Sequence, residues 1–242
     1  MAKRDLEELY KVLFYKNLIK WELLIWKRII KWGEKMENDA IELFKKYHKD
    51  KEYIVKDIIN RRKNKITFIL ESPHNDELDN KHPVAGQSGF EMANFIKLGD
   101  RKKSLGKIAE KEPSLGINIL NICRVPLQNT DKLDDRYREL VDKVDKIIRN
   151  GYKSFGNHTK NREFNDIEEL ILNDFRKRFD KILKNDDTLI VVCGEFAKVY
   201  FDKINKRECN VIYVPHPSRN QWKNNFEGLL ELSKVSLINT DV

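Results

Sequence analysis

Four short apolar runs, Ile66 to Leu70, Ile117 to Ile122, Leu189 to Cys193 and Val211 to Val214, constrain this chain more than any other feature. Each has strand rather than helix length, and helical spacing of apolar residues separates one run from the next. Those intervening helices are predicted around Phe90 to Leu98, Asp131 to Arg149, Ile167 to Leu183 and Phe196 to Lys203. Runs that are continuously apolar belong to strands buried on both faces, and strands alternating with helices form parallel sheets between helical layers. The expected fold is therefore α/β, a three-layer α/β/α arrangement with a central, mainly parallel four-stranded sheet.

Upstream the pattern differs. From about Asp5 to Tyr47 there is no proline and one glycine, and Leu6, Leu9, Leu13, Leu23, Trp26 and Ile30 recur at helical spacing. One long helix or two is expected there, with Trp21, Trp26 and Trp32 packing against the rest of the protein. The organisation read from the sequence is an N-terminal helical extension over residues 1–60 and an α/β domain over residues 61–242.

A formal net charge of +8 suits a polyanionic partner, because bound lysines and arginines release counterions from phosphates. Charge alone leaves this open, since a genome biased toward Lys, Ile and Asn codons produces the same excess. Cys123, Cys193 and Cys209 are scattered, without the spacing of a zinc site, an iron–sulfur site or a disulfide framework. The opening residues lack the apolar core of a signal peptide, and Lys20, Glu22, Lys27 and Arg28 interrupt the apolar stretch between Leu18 and Ile30. The expectation is a cytoplasmic, nucleoid-associated protein with no membrane association, no metal or other cofactor and no obligatory protein partner. A nucleotide-binding reading is disfavoured, because no GxGxxG or GxxxxGK[ST] pattern follows any strand.

Polar residues follow each apolar run: Glu71-Ser72-Pro73-His74, then Asn121, then Gly194-Glu195, then Pro215-His216-Pro217-Ser218. In open α/β sheets the ligand crevice lies outside the carboxyl ends of the strands, so these segments are expected to converge on one pocket.

In order, these segments resemble the motifs of the uracil-DNA glycosylase superfamily, most closely its thermophile-type branch, family four. Glu71-Ser72-Pro73-His74 stands where that branch has Glu-Ala-Pro-Gly, and Pro83-Val84-Ala85-Gly86-Gln87-Ser88-Gly89 where it has a Pro-Phe-x-Gly-x-Ala-Gly loop. Leu120-Asn121-Ile122-Cys123-Arg124, Val192-Cys193-Gly194-Glu195-Phe196-Ala197 and His216-Pro217-Ser218 match the later motifs. The resemblance covers about Ile66 to Ser218. It departs in three places: the cluster-binding cysteines are missing, Val84 replaces the phenylalanine that stacks on the base, and His74 replaces a small residue.

The resemblance implies a monofunctional DNA glycosylase. Such an enzyme hydrolyses the N-glycosidic bond of a flipped-out uracil, or another damaged or modified base, and leaves an abasic site. Breaking that bond requires stabilising a cationic sugar and an anionic leaving base. Glu71 is assigned the water and the sugar, and His216 the carbonyl oxygen of the base. Asn121 reads the base edge, with one amide orientation matching uracil and the other cytosine. Ser72, His74, Val84 and Phe90 complete the base pocket, Phe90 being a replacement stacking ring. Gly86, Gln87, Ser88, Gly89, Pro217, Ser218, Arg219 and Trp222 flank the DNA, with Trp222 either a wedge in the emptied stack or a packing residue. Two alternatives stay open: a protein of this fold that captures a modified base without turnover, and a defence protein that excises modified bases from viral DNA.

Overall fold

The computed structural model describes residues 22–31, 39–60, 64–98, 102–128, 130–149, 165–182, 188–204, 210–219, 221–223 and 227–234. The chain divides into two compact units, Met1–Leu43 and Phe44–Val242. In the first unit residues 22–31 are helical, and Trp26, expected to pack, is 63% exposed. Trp21 and Trp32 lie outside the described residues.

The boundary falls at residue 43 rather than near residue 60. Residues 44–60 belong to the second unit because they supply it with buried and hydrogen-bonded groups. Phe44, Tyr47, Tyr53 and Val55 are buried, the Tyr47 hydroxyl donates to the Pro126 carbonyl at 2.9 Å, and Ile58 forms an antiparallel bridge with Ile119. Burying each such side chain contributes on the order of 2 kcal/mol, which no solvated extension obtains.

The sheet of the second unit contains β1 (Ile66–Leu70), β2 (Ile117–Asn121), β3 (Leu189–Cys193) and β4 (Val211–Val214), in the order β2-β1-β3-β4 with every pairing parallel. Beyond residue 60, the described α-helices are α1 (Asn75–Asn80), α2 (Gln87–Phe95), α3 (Leu105–Lys111), α4 (Asp135–Arg149), α5 (Asp166–Phe179), α6 (Glu195–Ile204) and α7 (Glu227–Ser233). This is the three-layer α/β/α fold.

Side chains alternate across a strand, so Ile66, Phe68 and Leu70 share one face of β1. They join a core with Met92 and Ala93 of α2, Leu105 and Ile108 of α3, and Leu229 and Leu232 of α7. Helices α5 and α6 contribute a second aromatic cluster, in which Phe179 meets Phe201 edge-on at 5.4 Å. Asn165 caps α5: its side chain accepts the Glu168 N–H at 2.9 Å, and Glu168 accepts the Asn165 N–H in return.

β1 is central, with β2 on one side and β3 on the other. The order in which strands are added to the sheet therefore reverses beside β1, with all strands still parallel, and a crevice opens at such a point outside the strand ends.

Candidate functional site

A cavity of about 260 Å³ lies at the carboxyl ends of the strands, lined from five segments. β1 and its exit supply Leu70, Ser72 and His74, α1 supplies Asp76 and Glu77, the following loop and the start of α2 supply Val84, Gly86, Gln87 and Ser88, β2 supplies Asn121, and the segment after β4 supplies His216 and Pro217. The structure thus brings together nine of the residues singled out from sequence.

Glu71 is not among them. Strand alternation places Leu70 and Ser72 toward the cavity and turns the Glu71 side chain to the opposite face. There its half-buried carboxylate accepts a hydrogen bond from Gln128 Nε2 at 3.2 Å. Burial pushes its pKa up to about 7, and the charge of Asp145 adds to the rise.

Two acidic side chains line the cavity among the described residues, the exposed Asp76 and the buried Glu77, and the sequence reading passed over both; Glu77 is the one held in place by the backbone. Its Oε2 accepts the His74 N–H at 2.8 Å and its Oε1 accepts the Val84 N–H at 2.6 Å. Burial raises Glu77 to about 7 against the opposing effect of those two donors and of Asn121 beside it. A signal was present in the sequence: glutamate three residues after a helix start is the reaching half of a capping box. That pattern identifies a helix terminus, and only the returning loop gives it a second partner.

Val84 stands at φ +46°, a left-handed conformation that a β-branched residue adopts only under constraint. Glu77 holds it from one side. Gly89 permits the close approach from another, since a Cβ there would lie 1.8 Å from the Val84 carbonyl oxygen. Gly89 therefore packs against the loop and does not line the cavity.

Asn121 is 2% exposed, and its amide lies close enough to the Glu77 carboxylate to lower that group's pKa, yet its nitrogen meets no acceptor in good hydrogen-bond geometry among the described residues; the buried Ser72 hydroxyl meets no partner there either. Unsatisfied buried polar atoms cost about 1–3 kcal/mol each, a cost that an occupant with matching acceptors and donors removes. The Asn121 backbone is anchored from behind by Arg178, which is 7% exposed. Arg178 donates to the Asn121 carbonyl at 2.9 Å and the Ile122 carbonyl at 2.6 Å, and pairs with Asp57 at 2.9 Å and Asp174 at 2.7 Å.

His216 Nδ1 accepts the Ser218 N–H at 3.2 Å and lies 2.8 Å from the Ser218 hydroxyl. A backbone N–H can only donate, so the neutral ring carries its proton on Nε2. Burial, with repulsion from His74, holds the pKa down at about 4, so the ring is neutral at physiological pH. Gly194, at φ +89°, makes room for it: an added Cβ would meet the His216 Cβ at 3.0 Å.

Four further residues expected at the base or the DNA lie away from this lining or only border it. Phe90 is half-buried on α2 and does not line the cavity. Ser218 acts through His216, and Arg219 is exposed at φ +56°. Trp222 is 3% exposed within the core, meets Phe95 edge-on at 5.3 Å, and donates its indole N–H to the Pro215 carbonyl at 2.8 Å. It is a packing residue that ties down the segment carrying His216.

Among the described residues no cluster of His, Cys, Asp and Glu has the arrangement to hold a metal ion, and no helix is long and apolar enough to cross a membrane. The fold and site define a doubly wound α/β protein with a small polar crevice at its switch point. No protein-family model matches the chain, and no curated protein matches it in sequence.

Proposed function

We propose that this protein is a DNA glycosylase that hydrolyses the bond between a flipped-out base and its deoxyribose. The observation that carries the reading is the meeting of Asn121, Glu77 and neutral His216 in one base-sized cavity at the carboxyl end of the sheet. Enzymes acting on a base extrude it from the stack and read its hydrogen-bonding edge in such a pocket.

In this reading the Asn121 amide and the Ser72 hydroxyl satisfy their buried groups on the base edge. His216 donates Nε2–H toward a base carbonyl oxygen, where negative charge collects as the N-glycosidic bond lengthens. Because the ring is already neutral, it stabilises that charge without giving up a full proton. Glu77 takes the role first assigned to Glu71. Each carboxylate oxygen keeps a lone pair beyond its backbone hydrogen bond, so Glu77 can orient a water and accept its proton as the C1′–O bond forms. The base departs as an anion, the water oxygen becomes the C1′ hydroxyl, and an abasic site remains.

One observation favours a second reading, capture of a base without turnover. Both Glu77 oxygens are engaged by backbone donors, which suits a clamp for the 74–84 loop as well as a base. The experiment that separates the two is incubation with duplexes carrying uracil, deaminated purines and substituted pyrimidines. Mass spectrometry of released bases and alkali-induced strand scission then report turnover. Released base with scission supports the glycosylase; a shifted band with neither supports capture. The DNA partner and an intracellular setting, with repair and antiviral roles both open, belong to this proposal.

A further inference from the structure

We infer that a basic groove beside β2 is a second binding site, taking phosphates of the DNA strand whose extruded base enters the cavity. The inference rests on the proposed function for where the DNA lies. Among the described residues no lysine or arginine lines the cavity itself, so the described cations that could meet the phosphates flanking an extruded base lie elsewhere.

The groove has a volume of about 870 Å³, and Lys49, Lys51, Lys56, Lys81 and Arg124 line it against the two carboxylates Glu110 and Asp174. Asp174 is already neutralised, since it pairs with Arg178 at 2.7 Å and Arg124 at 3.1 Å, with His48 at 3.7 Å. Among the described residues, the ammonium groups of Lys49, Lys51 and Lys56 have no ion-pair partner. The Arg124 Nε is buried and without an acceptor. Like charges gathered with too few counter-charges repel one another, and a polyanion relieves that repulsion.

The groove's walls are built from the same elements as the cavity. Val55 donates to the Arg124 carbonyl at 2.9 Å and Ile58 bridges Ile119, so the lysine-bearing segment follows the edge of β2 toward its carboxyl end. Arg124 comes three residues after Asn121. Lys81 closes α1, whose first turn carries Glu77, and donates to the Glu52 carbonyl at 2.5 Å, joining the two walls. From Glu77 to Lys81 the helix rises about 6 Å, and phosphates of one strand advance about 3.4 Å along the duplex axis, so this separation corresponds to roughly two phosphates.

The test compares the full-length protein with two triple variants of equal charge change. One is Lys49→Glu, Lys51→Glu, Lys56→Glu. The other is Arg176→Glu, Lys177→Glu, Lys181→Glu, at exposed positions in and just after α5. The probe is a fluorescein-labelled 20-mer duplex with a central tetrahydrofuran abasic analogue, titrated by anisotropy between 50 and 200 mM KCl. The groove variant should bind at least tenfold more weakly at 50 mM, with a log–log salt slope shallower by about 2–3, while the control changes far less. Equal weakening in both variants, or no weakening in the groove variant, overturns the inference. Displacement of the probe by AMP at the same nucleotide concentration as an unlabelled 20-mer would instead indicate a mononucleotide site and also overturn it. Base release is measured separately at saturating protein. If the wild type binds the probe but releases no base from any modified duplex, the excision reading fails while the binding comparison still decides the groove.

Discussion

Glu77 accepts the Val84 N–H at 2.6 Å while that valine stands at φ +46°, so one carboxylate both faces the cavity and holds its wall in a conformation valine otherwise avoids. The carboxylate that shapes the pocket and the one that faces its occupant are the same group. Substitutions there must be read for both effects.

Glu77→Gln should lower the single-turnover rate of base release from a uracil-containing duplex by about 10²–10⁴, the range for a lost general base. Glu71→Gln should stay within about tenfold of wild type, because its side chain lies on the other face of β1. Glutamine also sets an NH₂ against one of two backbone donors, costing about 1–3 kcal/mol, so melting temperatures are measured in parallel. The reverse ranking of the two variants, with both folded, would return catalysis to Glu71.

The pH dependence follows from the same group. Activity should rise with pH through about 7 to a plateau as Glu77 ionises, and His216, neutral above about 4, should add no limb in that range. Stability runs the other way. Below about 4.5 both folded and unfolded chains hold the Glu77 proton. As pH climbs toward 7 the unfolded chain loses it first, and above 7 the native state bears the full cost, about 3 kcal/mol. His216 has the opposite sign: its stability contribution is complete above 6.5 and is lost as pH falls toward 4. Urea unfolding at pH 5 and pH 8 should show Glu77→Gln losing part of the wild-type decline, with the part due to Glu71 retained.

Gly194→Ala should reduce turnover by about tenfold to a hundredfold with a smaller effect on DNA affinity. The added methyl meets the His216 Cβ at 3.0 Å from a backbone already at φ +89°, so the imidazole must shift, and misplacements of about 1 Å cost rates of this order. Unchanged kinetics in a folded Gly194→Ala protein would remove His216 from the reaction.

Arg178→Met should destabilise the protein by about 3–5 kcal/mol, since it leaves the buried Asp57 carboxylate without its cation and two strand-end carbonyls without their donor. Adding Asp57→Asn should recover part of that loss. Urea denaturation of the single and double variants measures the difference; a double variant no more stable than Arg178→Met would show that the carbonyl contacts carry the cost.

All four strands were legible in the sequence because each is an uninterrupted apolar run, and burial on both faces needs no more information than that. Asn121 and His216 were legible as polar residues that close such runs, at the end of a parallel sheet where crevices open. The same two-residue alternation that defines a strand also decides that Ser72 faces the cavity and Glu71 does not. What only the tertiary structure decided depends on segments far apart in the chain. Glu77 becomes a cavity residue when the Val84 loop returns over it, Arg178 reaches Asn121 from 57 residues away, and Trp222 is drawn into the core by Phe95 and the Pro215 carbonyl. Local periodicity encodes which elements form and which face is apolar. A hydrogen-bond partner brought in by another element has no periodicity, and appears only once the layers have packed.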